Sequence, residues 1–300
     1  MKRDPSLLRV ATLNLWNKSG PWAERMKSVR AQLDALQPDI LGLQEVLELR
    51  PKGGPAMNQC DELRPANWPD DNWHSVYGPS HDMSKSFMGG ASAPKLWFGN
   101  SIVSRWPIRQ HAVLPLPGDD VSDQTRTLLH AVVETPHGPV DVFVTHLNWK
   151  LDEGWVRETQ VQEIARIIEE RAPEDGRFPP LLMGDLNAEP QSDEIRYLNG
   201  HTRLGSPRSV RFTDMWAYRT DREDEGCTFD PVRNPFAAQY PEPPRRIDYL
   251  FVRGPHVSGP SARPRVIPGR PLKVGLCFDA EVPVFASDHF GVWADLATPE

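Results

Sequence analysis

Four apolar runs in this sequence end in polar residues of the kind that do chemistry. "VATLN" ends at Asn14, "ILGLQE" at Glu45, "VFVTHLN" at His146 and Asn148, and "LLMGDLN" at Asp185 and Asn187. Alternate side chains of a strand share a face, so His146 is expected beside Asn148, and Asp185 beside Asn187. Two later pieces carry the same residue types: "RRIDYLFV" holds Asp248 within a strand pattern, and "ASDHFGVW" sets Asp288 next to His289 just ahead of the last strand. Together these are four carboxylates, two histidines and two or three amides, with no cysteine among them. Oxygen donors of this kind suit a hard divalent ion, magnesium or manganese, far better than zinc. Magnesium takes about six oxygens and keeps several waters, so one or two carboxylates anchor it and a substrate phosphate supplies the rest. The chemistry implied is metal-assisted transfer of a phosphoryl group to water.

Such a site requires that separate strands bring their ends to one place. "LLRVATLNLW" (7–16) reads as a strand, "WAERMKSVRAQLDALQPD" (22–39) as a helix stopped before Pro38, and "ILGLQEV" (40–46) as a second strand. This strand–helix–strand opening is the unit that builds an α/β sheet. Further strands are expected at 73–79, 100–107, 127–135 and 140–148, with "HGP" making a hairpin of the last two, so part of the sheet is antiparallel. Segment 154–172 places Val161, Ile164, Ile167 and Ile168 on one face and predicts a helix, followed by the buried strand "PPLLMGDLN". Beyond residue 199 the chain is loop-rich, with strands expected at 246–254, 265–270 and 291–297. Its 31 prolines punctuate loops and mark no linker, which predicts a single domain over residues 1–300 with two sheets packed face to face and helices outside.

Whole-chain properties restrict the partners. The 300 residues are 39% hydrophobic and carry a formal charge of -7, so a nucleic acid would have to be gripped by a local basic patch against a repulsive overall field. Cys60, Cys227 and Cys277 are far apart without a CxxC, which indicates neither a disulfide framework nor a zinc cluster and points to a reducing compartment. The N-terminal apolar stretch is short and interrupted by Asp4, Pro5, Arg9 and Asn14, a poor signal peptide. No run reaches the roughly eighteen apolar residues of a membrane span. A soluble, cytoplasmic protein is expected.

Taken in order, "TLNLW", "LQEV", "FGNSIVSRWPI", "THLN", "GDLNAEP", "RIDYLFV" and "SDHFGV" resemble the endonuclease/exonuclease/phosphatase superfamily over residues 10–296. The resemblance implies a four-layered α/β sandwich of two mixed sheets flanked by helices, and a magnesium-dependent hydrolase of phosphodiesters or phosphomonoesters, with manganese as an alternative ion. It implies Glu45 as main metal ligand, with Asn14 beside it and Asp288 as a further carboxylate. Asp185 and Asn187 would orient the attacking water and hold a phosphate oxygen. His289 backed by Asp248 would form a His–Asp dyad, and His146 would be the second catalytic histidine. Arg126, and Asn148 beyond it, would contact the substrate phosphate.

Asp248 beside His289 would fix its tautomer and favour imidazolium, and either Asp185 or His289 would activate water. No basic stripe with interleaved aromatics stands out for nucleic acid; "RLGSPRSVRF" (203–212) comes nearest. The segment 227–252 looks like the bacterial branch near the neutral sphingomyelinases, yet no apolar hairpin that would enter a bilayer is seen. A small or headgroup-sized phosphate ester is therefore the expected substrate. A nuclease and a catalytically silent binding protein are the alternatives. Among ten tryptophans, Trp16, Trp149 and Trp155 lie near site residues in sequence, and one or two are expected to line the cleft.

Overall fold

The computed structural model describes residues 4–65, 68–69, 72–84, 94–118, 125–172, 178–207, 209–220, 224–254 and 267–299. β1 (Leu7–Asn14) leads into α1 (Trp22–Leu36), which ends where Gln37 turns left-handed at φ +50° and returns its N–H to Leu33 O. There follow β2 (Ile40–Arg50), β3 (Met57–Asn58), β4 (His74–Asp82), β5 (Lys95–Ser104), β6 (Ile108–Leu116), β7 (Arg126–Thr135) and β8 (Gly138–His146). Next come α2 (Gly154–Arg171), β9 (Leu181–Asp185), α3 (Asp193–Leu198), β10 (Phe212–Asp214), β11 (Asp248–Arg253), β12 (Pro271–Cys277) and β13 (Gly291–Ala297).

These strands form two sheets, one of seven strands in the order β12-β13-β1-β2-β5-β4 with β3 on β2, and one of six in the order β10-β11-β9-β8-β7-β6. Each has a single parallel pair among antiparallel ones, β1 with β2 in the first and β8 with β9 in the second. β7 and β8 make the expected hairpin, closed by the pairing of Thr135 with Gly138.

Three apolar clusters hold the layers together. Val29 and Leu33 of α1 pack on Ala11, Leu13, Leu41 and Leu43 of the seven-stranded sheet. Val161, Ile164 and Ile168 of α2 pack on Leu128, Phe143, Leu182 and Phe251 of the six-stranded sheet. Between the sheets lie Leu8, Val10, Leu129, Val142, Val144, Leu181, Met183, Leu250, Val292 and Ala294. This is the four-layered α/β sandwich expected from the sequence. The sheets approach closely at Gly42, where a Cβ would stand 2.7 Å from Met183 Sδ and 2.9 Å from Val144 Cγ2.

The expected strand at 265–270 is not where the structure puts one. Residues 265 and 266 lie outside the described residues, Gly269 turns at φ +79°, and pairing with β13 starts at Pro271. β6 was not anticipated: "IRQHAVLPL" mixes charge and a proline, which an edge strand tolerates because one side of its backbone faces no neighbour.

Candidate active site

The face that packs between the sheets turns polar at one end of each central strand. On β1 it runs Leu8, Val10, Thr12, Asn14; on β8, Val140, Val142, Val144, His146; on β9, Leu181, Met183, Asp185; on β11, Val252, Leu250, Asp248. The register then makes neighbours of these tips, because His146 and Asp248 are the cross-strand partners of Asp185 on its two sides. Gly184 makes that pairing feasible: it sits at φ +141°, and a Cβ there would lie 2.0 Å from Thr145 O.

Asp185 is the hub of the cluster. Its Oδ2 accepts from Asn14 Nδ2 at 2.9 Å, which links the two sheets, and its Oδ1 accepts from the Asn187 main-chain N–H at 2.9 Å. The same Oδ2 lies 3.6 Å from His146 Nε2 and 3.9 Å from His289 Nε2. His289 reaches it from the turn before β13 and is held by Asp248 Oδ2, 2.9 Å from Nδ1. That turn is pinned to β1 by Ser287 Oγ, which donates to Asn14 O at 2.7 Å. Phe229 packs edge-on against the His289 ring at 5.3 Å.

Glu45 arrives by a different route from the one its apolar run suggests. β2 does not end there but continues to Arg50, and Glu45 sits in mid-strand at φ +56° where the pairing with β5 slips between Leu43 and Val46. Regular alternation would put Glu45 on the α1 side with Leu41 and Leu43. The bulge turns it instead toward Asn14, whose Nδ2 is 3.4 Å from Oε1, and Asn17, whose Nδ2 donates to Oε2 at 3.1 Å.

Asn148 departs from its expected place. Strand alternation stops at His146, and the Asn148 side chain donates to Glu153 Oε2 at 2.7 Å and accepts the Lys150 N–H at 2.9 Å, organising the entry to α2. It does not border the cleft. Asn187 does, with its Nδ2 donating to Leu147 O at 3.2 Å, and Arg126, at the start of β7, lines it as well. The cleft measures about 370 Å³, and Asn14, Glu45, Arg126, His146, Asp185, Asn187, Asp288 and His289 all border it. Trp16 and Trp149 join them, and Trp155 does not.

A profile of the Endonuclease/Exonuclease/phosphatase family matches residues 11–289. The chain belongs to that family. Members of the endonuclease/exonuclease/phosphatase family hydrolyse phosphate esters and use divalent metal ions. Among solved structures, an endonuclease/exonuclease/phosphatase from Beutenbergia cavernae DSM 12333 is 25% identical, with a TM-score of 0.64 over 98% of this chain and 72% of that one. D. rerio TDP2 complexed with single strand DNA product is 18% identical, with a TM-score of 0.66 over 98% and 100% of the chains. The human Nocturnin catalytic domain with bound sulfate is 17% identical, with a TM-score of 0.63 over 98% and 94%. A search of curated protein sequences finds no match. Among the described residues no helix is long and apolar enough to cross a membrane.

Electrostatics divide this endonuclease/exonuclease/phosphatase cleft into two parts. On one side burial, reinforced by the other carboxylates, raises Glu45 above the usual carboxylate range and Asp288 to about 6. Among the described residues their hydrogen-bond donors are only the amides of Asn14 and Asn17 and the Ser287 hydroxyl. The nearby Arg25 directs its guanidinium to the main-chain oxygens of Leu15, Ser19 and Ala286 instead. A half-buried and a buried acid with no cation hydrogen-bonded to them, offset only by the nearby charges of His289 and Arg25, fit a hard divalent ion. Atoms of Asp185, Asp248 and His289 also come within 4.8 Å of one another, but there the His289–Asp248 hydrogen bond already engages the facing atoms.

On the other side the groups are set for proton work. Burial and the adjacent Arg126 push His146 down to about 3, so it is neutral at physiological pH. Burial alone would lower His289, but Asp248, Asp185 and Asp288 outweigh it and favour the imidazolium. Burial alone would raise Asp185, yet the two histidines, Asn14 and the Asn187 N–H hold it below the ordinary value as a carboxylate.

Asn17, Arg25, Phe229 and Tyr240 were not found from the sequence. They lie outside the strands whose periodicity carried the reading, on α1 and the connecting segments.

Proposed function

We propose that this protein is a single-domain, magnesium-dependent hydrolase of a small organic phosphate ester, with Asn14, Glu45 and Asp288 holding the ion. The observation that carries the reading is an anionic Asp185 flanked by two histidines and facing the same cleft as the acids Glu45 and Asp288. When bound, the ion would polarise the phosphoryl group and neutralise charge on the departing oxygen.

The remaining roles follow from protonation. Asp185, ionised and fixed by Asn14 and Asn187, orients and deprotonates the attacking water. His289, kept protonated by Asp248, donates to a phosphoryl oxygen and cannot also serve as the base. Neutral His146 holds the substrate by hydrogen bonding, and Arg126 and Asn187 take further phosphate oxygens. The volume suits a small ligand. Arg126, Arg245 and the protonated His289 are the cationic side chains among the described cleft residues; Arg245 is paired with Glu242 and His289 with Asp248. That is meagre for a polyanion on a molecule of charge -7.

The test is hydrolysis of bis-p-nitrophenyl phosphate, p-nitrophenyl phosphate, sphingomyelin, single-stranded RNA and plasmid DNA with magnesium, manganese or chelator. Turnover of a small ester should vanish with chelator, and His289→Ala should lower it about 10²- to 10⁴-fold. Activity confined to RNA or DNA, falling steeply with salt, would make the protein a nuclease. A wild-type rate in His289→Ala would refute the site.

A further inference from the structure

The rim of the cleft is aromatic, and its residues differ in what already covers their faces. Trp16 is occupied by Phe236, at 5.3 Å between ring centroids, and by the Arg25 guanidinium at 4.7 Å. Phe98 stands 6.0 Å from His146, and Phe229 contacts both Tyr240 and His289. Trp149 has neither a ring nor a cation against it among the described residues, and 51% of its surface is exposed.

An exposed indole is ordinary on a loose surface, but the chain bearing this one is fastened from both sides. Ahead of it, the Leu147 N–H donates to Asp185 O at 3.0 Å, and Leu147 O accepts from Asn187. The Asn148 N–H donates to Gln160 Oε1 at 3.1 Å. Behind it, Lys150 is tied to Glu153 at 3.1 Å, and Arg157 Nη1 reaches both Asn148 O and Lys150 O, the latter at 2.7 Å. Arg157 is in turn clamped by Glu194 at 2.8 Å. Asn148, out of reach of the cleft, thus acts as the brace that presents Trp149 three residues after His146. The main chain around the indole therefore loses little freedom when something settles on it.

We propose that Trp149 determines specificity: it is the platform on which a planar aromatic portion of the substrate's alcohol stacks while the phosphate lies at Asp185. This inference rests on the phosphate-ester reading above and specifies its substrate class. A quaternary ammonium headgroup is the less suited occupant, because such cations are held by cages of several aromatic faces, and among the described rim residues Trp149 alone has no ring or cation already against it. Leu151 and Trp155, 62% and 54% exposed, lie close to Trp149 in sequence but do not border the cleft, and Trp155 serves as the control.

The experiment compares phenyl with cyclohexyl phosphate, and diphenyl with dicyclohexyl phosphate, pairs alike in size and different in planarity. Stacking of a base on an aromatic side chain is worth about 1–3 kcal/mol. Trp149→Ala should therefore lower kcat/KM for the phenyl esters by about 5- to 150-fold, mainly through KM, with the cyclohexyl esters nearly unchanged. Trp149→Phe should restore most of the loss, and Trp155→Ala should leave the phenyl-to-cyclohexyl ratio as in the wild type. Equal effects on both ester types, no effect, or the same loss from Trp155→Ala would overturn the assignment. Binding of phenylphosphonate against cyclohexylphosphonate, read by titration calorimetry in the wild type and Trp149→Ala, decides the matter even if no ester is turned over. In that event hydrolysis fails while the platform still stands or falls on its own.

Discussion

β1 carries buried polar chemistry at both ends, and the two ends are built on opposite principles. At its start, Arg9 Nε and Nη2 donate to the two oxygens of Asp295 at 2.7 and 2.9 Å, Nη1 donates to Leu36 O, and the Arg9 N–H goes to Asp39. Trp293 lies against the guanidinium at 4.9 Å. Charge and hydrogen bonding are matched there, as in a cluster that has only to be stable. At its end, Asn14 belongs to a group with four carboxylates, and His146 Nδ1 and Asp248 Oδ1 are buried without a hydrogen-bond partner. Burial of charge alone therefore does not mark a site; several acids gathered at one cleft together with buried groups left short of partners do.

Substitution at the two ends should separate activity from stability. Asp185→Asn should cost about 10²- to 10⁴-fold in turnover with a smaller loss of stability than Asp295→Asn, because the charge of Asp185, held below the ordinary value by its neighbours, contributes to the fold. Asp295→Asn strands Arg9 and should cost about 3–5 kcal/mol of stability at unchanged turnover per folded molecule. If Asp185→Asn unfolded the protein and Asp295→Asn did not, the contrast would be inverted.

A smaller effect concerns the ion. Saturation with magnesium at a hundred times its dissociation constant should stabilise the protein by about 2.7 kcal/mol, seen as a rise in Tm that chelator reverses. Glu45→Gln should shrink that rise, whereas Asp295→Asn should keep it. An equal response in wild type and Glu45→Gln would remove Glu45 from the ligand set.

The smallest effect is a pH dependence. His146 titrates near 3 in the fold, against about 6.5 in an unfolded chain. Between those values the unfolded state binds the extra proton, so stability falls as pH drops from about 6.5 toward 3. In the metal-free protein, His146→Gln should lose that component, and its stability relative to wild type should improve between pH 7 and pH 4.5. A constant difference would show that His146 can take up its proton while folded.

Legibility in the sequence follows the regularity of the backbone. Asn14, His146, Asp185 and Asp248 could be read because each extends an unbroken alternation, and register then sets them side by side. Glu45 was recognisable by its motif but not by its position, since the bulge that turns it into the cleft depends on one residue at φ +56° and leaves little pattern in the letters. Asn148 was misplaced because alternation was extended two residues past the end of β8. Asn17 and Tyr240 were missed because their segments have no periodicity, although the amide in "NLWNKSG" and the aromatics of "NPFAAQY" hinted at a lined pocket.

The packing stripe and the reactive tips occupy one and the same face, so chain length inside these strands is constrained twice. Removing a single residue between Leu181 and Gly184 would exchange the faces of everything on one side of the cut, carrying Asp185 round toward α2 or Met183 out of the inter-sheet layer. Deletions should therefore be lethal within β9 and β8 yet tolerated in connecting stretches such as 199–207. A scan of one-residue deletions along the gene would trace the catalytic strands as a pattern of gaps.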